Sequence, residues 1–266
     1  MRSFLPNLFT LGNLLAGCAG IVFCFSERVV PVRLQEADPV ASELLITLGY
    51  SQRLYLASFM VFVAAALDFL DGFLARLLRM HSELGKALDA LADVVSFGVL
   101  PASILYQLLL ASWSAEPDAL LVPMIYPFFA YIVVLAAAYR LARFTVQSQH
   151  TSFAGLPAPA AALLIAALPL IIFTNNLNLG EVVGNKWVLY SLAILLSWFM
   201  LAPLPMFGLK FTHYRWRGNE LRYLFLATAA VFIGAFAYAG IALAVLGYIA
   251  VNGVIFLFNK KNFNSY

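Results

Sequence analysis

The sequence predicts an all-α polytopic membrane bundle. Three observations carry that prediction: an apolar excess, apolar runs of membrane-crossing length, and a one-sided distribution of basic residues. Of 266 residues, 63% are hydrophobic and 11% charged, and the mean hydropathy is +0.90. Soluble domains average about 45–50% apolar and about 25% charged residues. No soluble globule of this length has interior enough for so much apolar surface, so the excess faces lipid.

A bilayer core needs about 20 apolar residues in helical form. Eight such runs stand at 7–26, 55–75, 89–112, 121–140, 157–174, 187–207, 223–239 and 241–258. The last two are parted only by small residues around Gly240 and could equally form one tilted helix. The first run is not expected to be a cleaved signal peptide. Arg2 is the only basic residue before it, and no small-residue cleavage pattern follows. Eight crossings with both termini cytoplasmic put Arg2, Arg76, Arg79, Lys86, Arg140, Arg143, Lys210, Arg215, Arg217, Arg222, Lys260 and Lys261 inside. Only Arg28, Arg33, Arg53 and Lys186 then lie outside, as the positive-inside rule requires. Merging the last two runs would expel Lys260 and Lys261.

The net charge of +3 is accounted for by anionic headgroups at the inside loops and calls for no nucleic-acid partner. Cys18 and Cys24 share one apolar run and form neither a metal pattern nor an evident disulfide pair. No linker or low-complexity tract divides the chain, so residues 1–266 are expected to form a single membrane domain. The longest polar connection is 27–54, expected outside; 76–88 and 208–222 are the inside loops.

The second run carries Asp68 and Asp71, and the third opens with Asp89 and Asp93. An acid near a membrane-helix centre costs about 2.5–3.5 kcal/mol, less toward the interface. Four together call for a positive ligand. In a helix, Asp68, Asp71, Gly72 and Ala75 fall within roughly a 100° arc. Asp89 and Asp93 are i, i+4 neighbours, with Gly85 and Ser96 on the same stripe if the helix runs through them. A short inside turn makes the two helices antiparallel, so the four carboxylates face one groove. An all-oxygen donor set suits Mg²⁺ or Mn²⁺, and a pair of such ions would clamp a transferring phosphoryl group. Small residues at 72, 75 and 85 permit close approach of a ligand, and Arg76 could neutralise a phosphate. The acids alone are also compatible with interhelical salt bridges or with an ion path. A transporter would, however, be expected to show repeated halves, and no second D-x2-D-G copy is present.

Residues 68–93 read D-F-L-D-G-F-L-A-R-L-L-R-M-H-S-E-L-G-K-A-L-D-A-L-A-D. This resembles the CDP-alcohol phosphotransferase signature, D-x2-D-G-x2-A-R-x8-G-x3-D-x3-D, at all eight fixed positions. The resemblance implies a membrane transferase that cleaves a CDP-linked substrate, releases CMP and joins the remaining phosphoryl group to an alcohol. It implies that Asp68, Asp71 and Asp89 bind a metal pair, and that Asp93 completes the metal site and acts as general base. Gly72, Ala75, Arg76 and Gly85 would hold the cytidine diphosphate part. A homodimer is likewise expected from the family.

Further segments are similar to the branch that takes CDP-diacylglycerol as donor and L-serine as acceptor. They are Leu5–Gly17, Asp93–Gly98, Tyr139–Phe144, Gly155–Ala160 and, more loosely, Pro205–Lys210. The resemblance covers about 4–210, leaving 223–258 as additional C-terminal helices. It places Asn7 and Thr10 near the nucleotide, though the spacing of Asn7, Thr10 and Asn13 also suits capping or interhelical hydrogen bonding. Serine brings a carboxylate, for which Arg140, Arg143 and Lys210 are candidate partners, with Ser96 beside them. The two arginines could instead be inside anchors. Gly155–Pro159 reads as a rigid turn opening the fifth run, and His81 as a solvated loop residue. Glycerol 3-phosphate or an inositol phosphate remains an alternative acceptor. The expected setting is a bacterial inner membrane, with the site facing the cytoplasm.

Overall fold

The computed structural model describes residues 4–26, 53–77, 83–115, 123, 125–146, 155–204, 206 and 219–263. Among these every element is helical and no strand occurs. In lipid, a backbone that satisfies its own hydrogen bonds within one segment is the economical solution, and the apolar composition enforces it. The helices are α1 Phe4–Phe25, α2 Leu54–Leu77, α3 Glu83–Val94, α4 Leu100–Ser114, α5 Ile125–Phe128, α6 Ile132–Val146, α7 Ala158–Thr174, α8 Gly180–Gly184, α9 Lys186–Leu201 and α10 Glu220–Phe263. Among the described residues five stretches are long and apolar enough to cross a membrane, and α7 and α9 are shorter apolar helices. The chain is an integral membrane helix bundle.

The runs read from hydropathy shift at their ends for local reasons. The third run begins at Glu83, not at residue 89, because an amphipathic first turn with Glu83 and Lys86 lowers mean hydropathy without breaking the helix. Asp89 and Asp93 therefore sit within a helix, and the connection between α2 and α3 narrows to residues 78–82, outside the described residues. The fourth run starts late, after Pro123, and continues to Val146. The sixth starts at Lys186, where the Asn185 side chain accepts from the Trp187 amide at 2.9 Å, and ends at Leu201 as Ala202 turns extended.

Between α3 and α4 the helix widens into a π turn, Val95–Val99. Pro101 has no N–H to give the Phe97 carbonyl, and the Leu100 amide reaches back to Val95 instead. The turn's Ser96, Phe97 and Gly98 are all buried.

The C-terminal segment resolves the one ambiguous run. Its backbone breaks at Ala237, which has φ 47° and ψ −120°. Phe225 and Tyr248 lie 5.4 Å apart between ring centroids. A continuous helix would separate them by roughly 35 Å, at 1.5 Å rise per residue. The segment is thus a helical hairpin, folded so closely that a side chain at Gly240 would strike the Phe232 carbonyl. The bend packs on α7 with Phe236 before the break and Ala239 and Ile241 after it, against Ala167 and Ile171.

The core joins α1, α2, α4, α6, α7 and α9 around Phe97, Leu100, Ile104, Leu105 and Ile165. At the end of the bundle remote from the aspartates, Trp113 donates to the Tyr190 hydroxyl at 2.9 Å, and Lys186 sits 3.9 Å over the Trp113 ring. Amphipathic aromatics of this kind mark a membrane–water interface. Cys18 is exposed, Cys24 is buried, and both are free thiols.

Candidate active site

The site is assembled from the facing ends of α1, α2, α3 and α6. Asp68 on α2 and Asp89 and Asp93 on α3 each offer a carboxylate oxygen within 4.8 Å of the others. Asp71, one turn beyond Asp68, turns to α1, where the Thr10 hydroxyl donates to its Oδ2 at 2.6 Å. The four acids thus divide into a cluster of three and a fourth held by a hydroxyl.

Asn13, one turn along α1 from Thr10, donates through Nδ2 to Asp93 Oδ1 at 3.1 Å. Its carbonyl accepts from the Ser96 hydroxyl at 2.9 Å. Thr10, Asn13 and Ser96 are all fully buried. The bonds made here restrain side-chain direction, because each alternative orientation forfeits one in a low dielectric, while the buried Asn13 Oδ1 meets no donor among the described residues. Small residues admit this contact. A Cβ on Gly17 would lie 2.6 Å from Ser96 Oγ, so only glycine lets α1 approach the π turn.

The other nominated residues fall into place unevenly. Ser96, expected beside the acceptor, is committed to α1 and acts on the site by locking Asn13. Gly72 is exposed, with open space where a Cβ would stand; Ala75 and Gly85 are half-buried. Arg76 lies in α2, but its side chain falls outside the described residues, as do Lys210 and His81. Asn7 is half-buried on α1, and Arg143 is exposed on α6. Arg140 is different. It follows Ala136 and Ala137 on the buried face of α6, and its fully buried Nε–H meets no acceptor among the described residues. Asp93 lies within its electrostatic reach. Lys86 closes this end by donating to the Thr145 carbonyl at 3.0 Å, near the carboxyl terminus of α6.

One residue that touches the acidic cluster escaped the sequence: Asn13 stood out only as a polar residue three after Thr10, with nothing to show that its partner is Asp93.

Three carboxylates converging within 4.8 Å, with no His or Cys among them, form a hard oxygen donor set. The fit is to Mg²⁺ or Mn²⁺ and not to zinc.

Comparison with known proteins places the chain in a family. A family profile described as CDP-alcohol phosphatidyltransferase matches residues 3–206. The chain belongs to the CDP-alcohol phosphatidyltransferase family. It is similar to the CDP-diacylglycerol–serine O-phosphatidyltransferase of Mycobacterium tuberculosis, 39% identical over 172 residues, or 62% of this chain and 48% of that protein. Proteins of the same name from Helicobacter pylori and Bacillus subtilis are also similar. The first is 29% identical over 201 residues, covering 74% of this chain and 69% of the relative. The second is 32% identical over 175 residues, covering 65% and 78%. The chain spans about half the length of the mycobacterial relatives it matches. Within this family, the aspartates of α2 and α3 are the conspicuous chemical feature of the described chain.

Proposed function

We propose that the protein transfers the phosphatidyl group of CDP-diacylglycerol to L-serine, giving phosphatidylserine and CMP. The observation that carries this reading is the convergence of Asp68, Asp89 and Asp93 within 4.8 Å, with Arg140 in reach of Asp93. The names of the similar proteins favour serine as acceptor.

Asp68, Asp71, Asp89 and Asp93 would hold a pair of Mg²⁺ or Mn²⁺ ions. When bound, such ions supply positive charge to the pyrophosphate oxygens. Gly72, Ala75, Arg76 and Gly85 receive the cytidine diphosphate part, with Asn7 and Thr10 flanking it from α1. The acyl chains remain in lipid. Asn13 fixes Asp93 through Oδ1, which leaves Oδ2 to take the proton from the serine hydroxyl. The serine oxygen forms a bond to the phosphorus attached to diacylglycerol, the bond from that phosphorus to the CMP oxygen breaks, and CMP leaves as the anion. Arg140 matches the serine carboxylate, while Arg143 and Lys210 supply positive charge nearer the mouth.

In this reading the chain is one membrane domain, a family core at about 4–210 followed by the C-terminal hairpin. The bias of basic residues supports a site on the cytoplasmic side of a bacterial inner membrane, with both termini there. Pairing into a homodimer rests on the family resemblance.

The test uses purified protein in detergent with CDP-diacylglycerol and Mg²⁺ or Mn²⁺. CMP release is measured with L-serine, glycerol 3-phosphate or an inositol phosphate added separately. Release that requires serine and is abolished by EDTA is the expected result. Release with another acceptor overturns serine but retains the chemistry. No release from folded protein overturns the transferase reading and reopens transport.

A further inference from the structure

Asn13 uses only one side of its amide. Its Nδ2 donates to Asp93 Oδ1 at 3.1 Å, and this assigns the two ends of the amide, because a carboxylate only accepts. The backbone carbonyl of the same residue takes the Ser96 hydroxyl at 2.9 Å. The side-chain oxygen is left over. Asn13 is 0% exposed, and its Oδ1 meets no donor among the described residues. A buried acceptor without a donor is costly, and a protein that retains one has a use for it or a water beside it.

A second unpaired group stands at the same level of the bundle. Two contacts fix the register of α6 against α3 and the π turn. Lys86 donates to the Thr145 carbonyl at 3.0 Å, and a Cβ on Gly98 would lie 3.5 Å from the Ala137 Cβ. The pairing runs antiparallel, and Asp93 and Arg140 both fall between those two points, so they stand level with one another. The buried Arg140 Nε–H meets no acceptor among the described residues. Asp93 is thus flanked by an unused acceptor from α1 and an unused donor from α6.

L-Serine carries the complementary pair, an ammonium and a carboxylate, on the carbon next to its hydroxymethyl group. Glycerol 3-phosphate and the inositol phosphates have no ammonium to offer. We propose that Asn13 Oδ1 accepts a hydrogen bond from the ammonium of the acceptor, which makes Asn13 a specificity-determining residue. Its two side-chain atoms then have separate duties: Nδ2 orients the base, and Oδ1 recognises the amine. This inference rests on the serine-transfer reading and deepens it. Hydrogen bonds at such a site are commonly completed only when substrate is bound.

L-Serine and 3-hydroxypropionate differ only in the amine and separate the two duties. CMP release by the purified protein in detergent, at saturating CDP-diacylglycerol, gives kcat/KM for each acceptor. If 3-hydroxypropionate binds without being transferred, its inhibition constant is compared with the KM for serine instead. The quantity read is the preference for serine over its deaminated analogue. Asn13→Leu removes both polar atoms and should lower that preference about tenfold or more, the worth of one hydrogen bond to a charged group. Asn13→Asp also loses the donor to Asp93 but keeps an acceptor oxygen. Its activity should fall with both acceptors, while the preference stays within about twofold or rises. A role confined to packing or to orienting Asp93 lowers both acceptors equally. An unchanged preference in Asn13→Leu therefore overturns the proposal, and is the result for an oxygen that serves only a buried water. A preference lost equally in Asn13→Leu and Asn13→Asp overturns it too. If Asn13→Leu does not fold, Asn13→Ala is scored by the same ratio. Wild-type protein that transfers to glycerol 3-phosphate and not to serine defeats the serine reading, and this proposal with it, before any variant is made. Wild-type protein that uses serine, with the preference unchanged in Asn13→Leu, defeats this proposal alone.

Discussion

The α1–α3 end of the bundle and the C-terminal hairpin solve the same membrane problem in opposite ways. In the first, Thr10, Asn13, Asp71, Asp93 and Ser96 are buried and tied together by side-chain hydrogen bonds. In the second, large apolar side chains such as Leu224, Val231 and Val254 face outward, and Tyr248 and Asn252 are its buried polar residues between 220 and 256. Hydrogen bonds fix geometry to a few tenths of an ångström, whereas lipid contact asks only for apolarity. The acidic cluster therefore stands where polar groups are buried and tied to one another. The hairpin supplies bulk, with one polar ring aimed inward.

That contrast can be broken at graded cost. Asp93→Asn should reduce CMP release on the order of 10²–10⁴-fold, the usual contribution of a general base. Its thermal unfolding should match the wild type, and a protein that fails to fold would return Asp93 to a structural role. Thr10→Val leaves Asp71 Oδ2 without its donor. Titration of activity with Mn²⁺ should show an affinity about 10–100-fold weaker, as for other partners of metal-binding carboxylates. Gly17→Ala forces a methyl against Ser96. It should destabilise the protein by about 1–3 kcal/mol, read as a lowered unfolding temperature in detergent. At the other extreme, Val231→Ala on the lipid-facing hairpin should change stability by less than about 0.5 kcal/mol and leave CMP release unaltered. A large loss there would show that this face is covered and not lipid-exposed.

Much of this was legible in the sequence, for a physical reason. Apolar runs and the spacing of Asp68, Asp71, Asp89 and Asp93 are local properties, and helix periodicity converts them directly into faces. The start of α3 at Glu83 was hidden because hydropathy averages out an amphipathic turn. The π turn depends on Pro101 acting on a carbonyl four residues back, and a period of 3.6 does not anticipate it. It is also why Ser96, extrapolated along the aspartate stripe, faces α1 instead. Asn13 acquires meaning only from a partner 80 residues away, Asp93, and no local pattern encodes that pairing.

The hairpin break at Ala237 also orders events during synthesis. The aspartates, Asn13 and Arg140 are all complete once residue 146 has emerged, whereas Tyr248 follows about a hundred residues later. At roughly 5–20 residues per second, that delay lasts on the order of 5–20 s. The maturing protein thus holds its clustered acids well before its C-terminal hairpin is made.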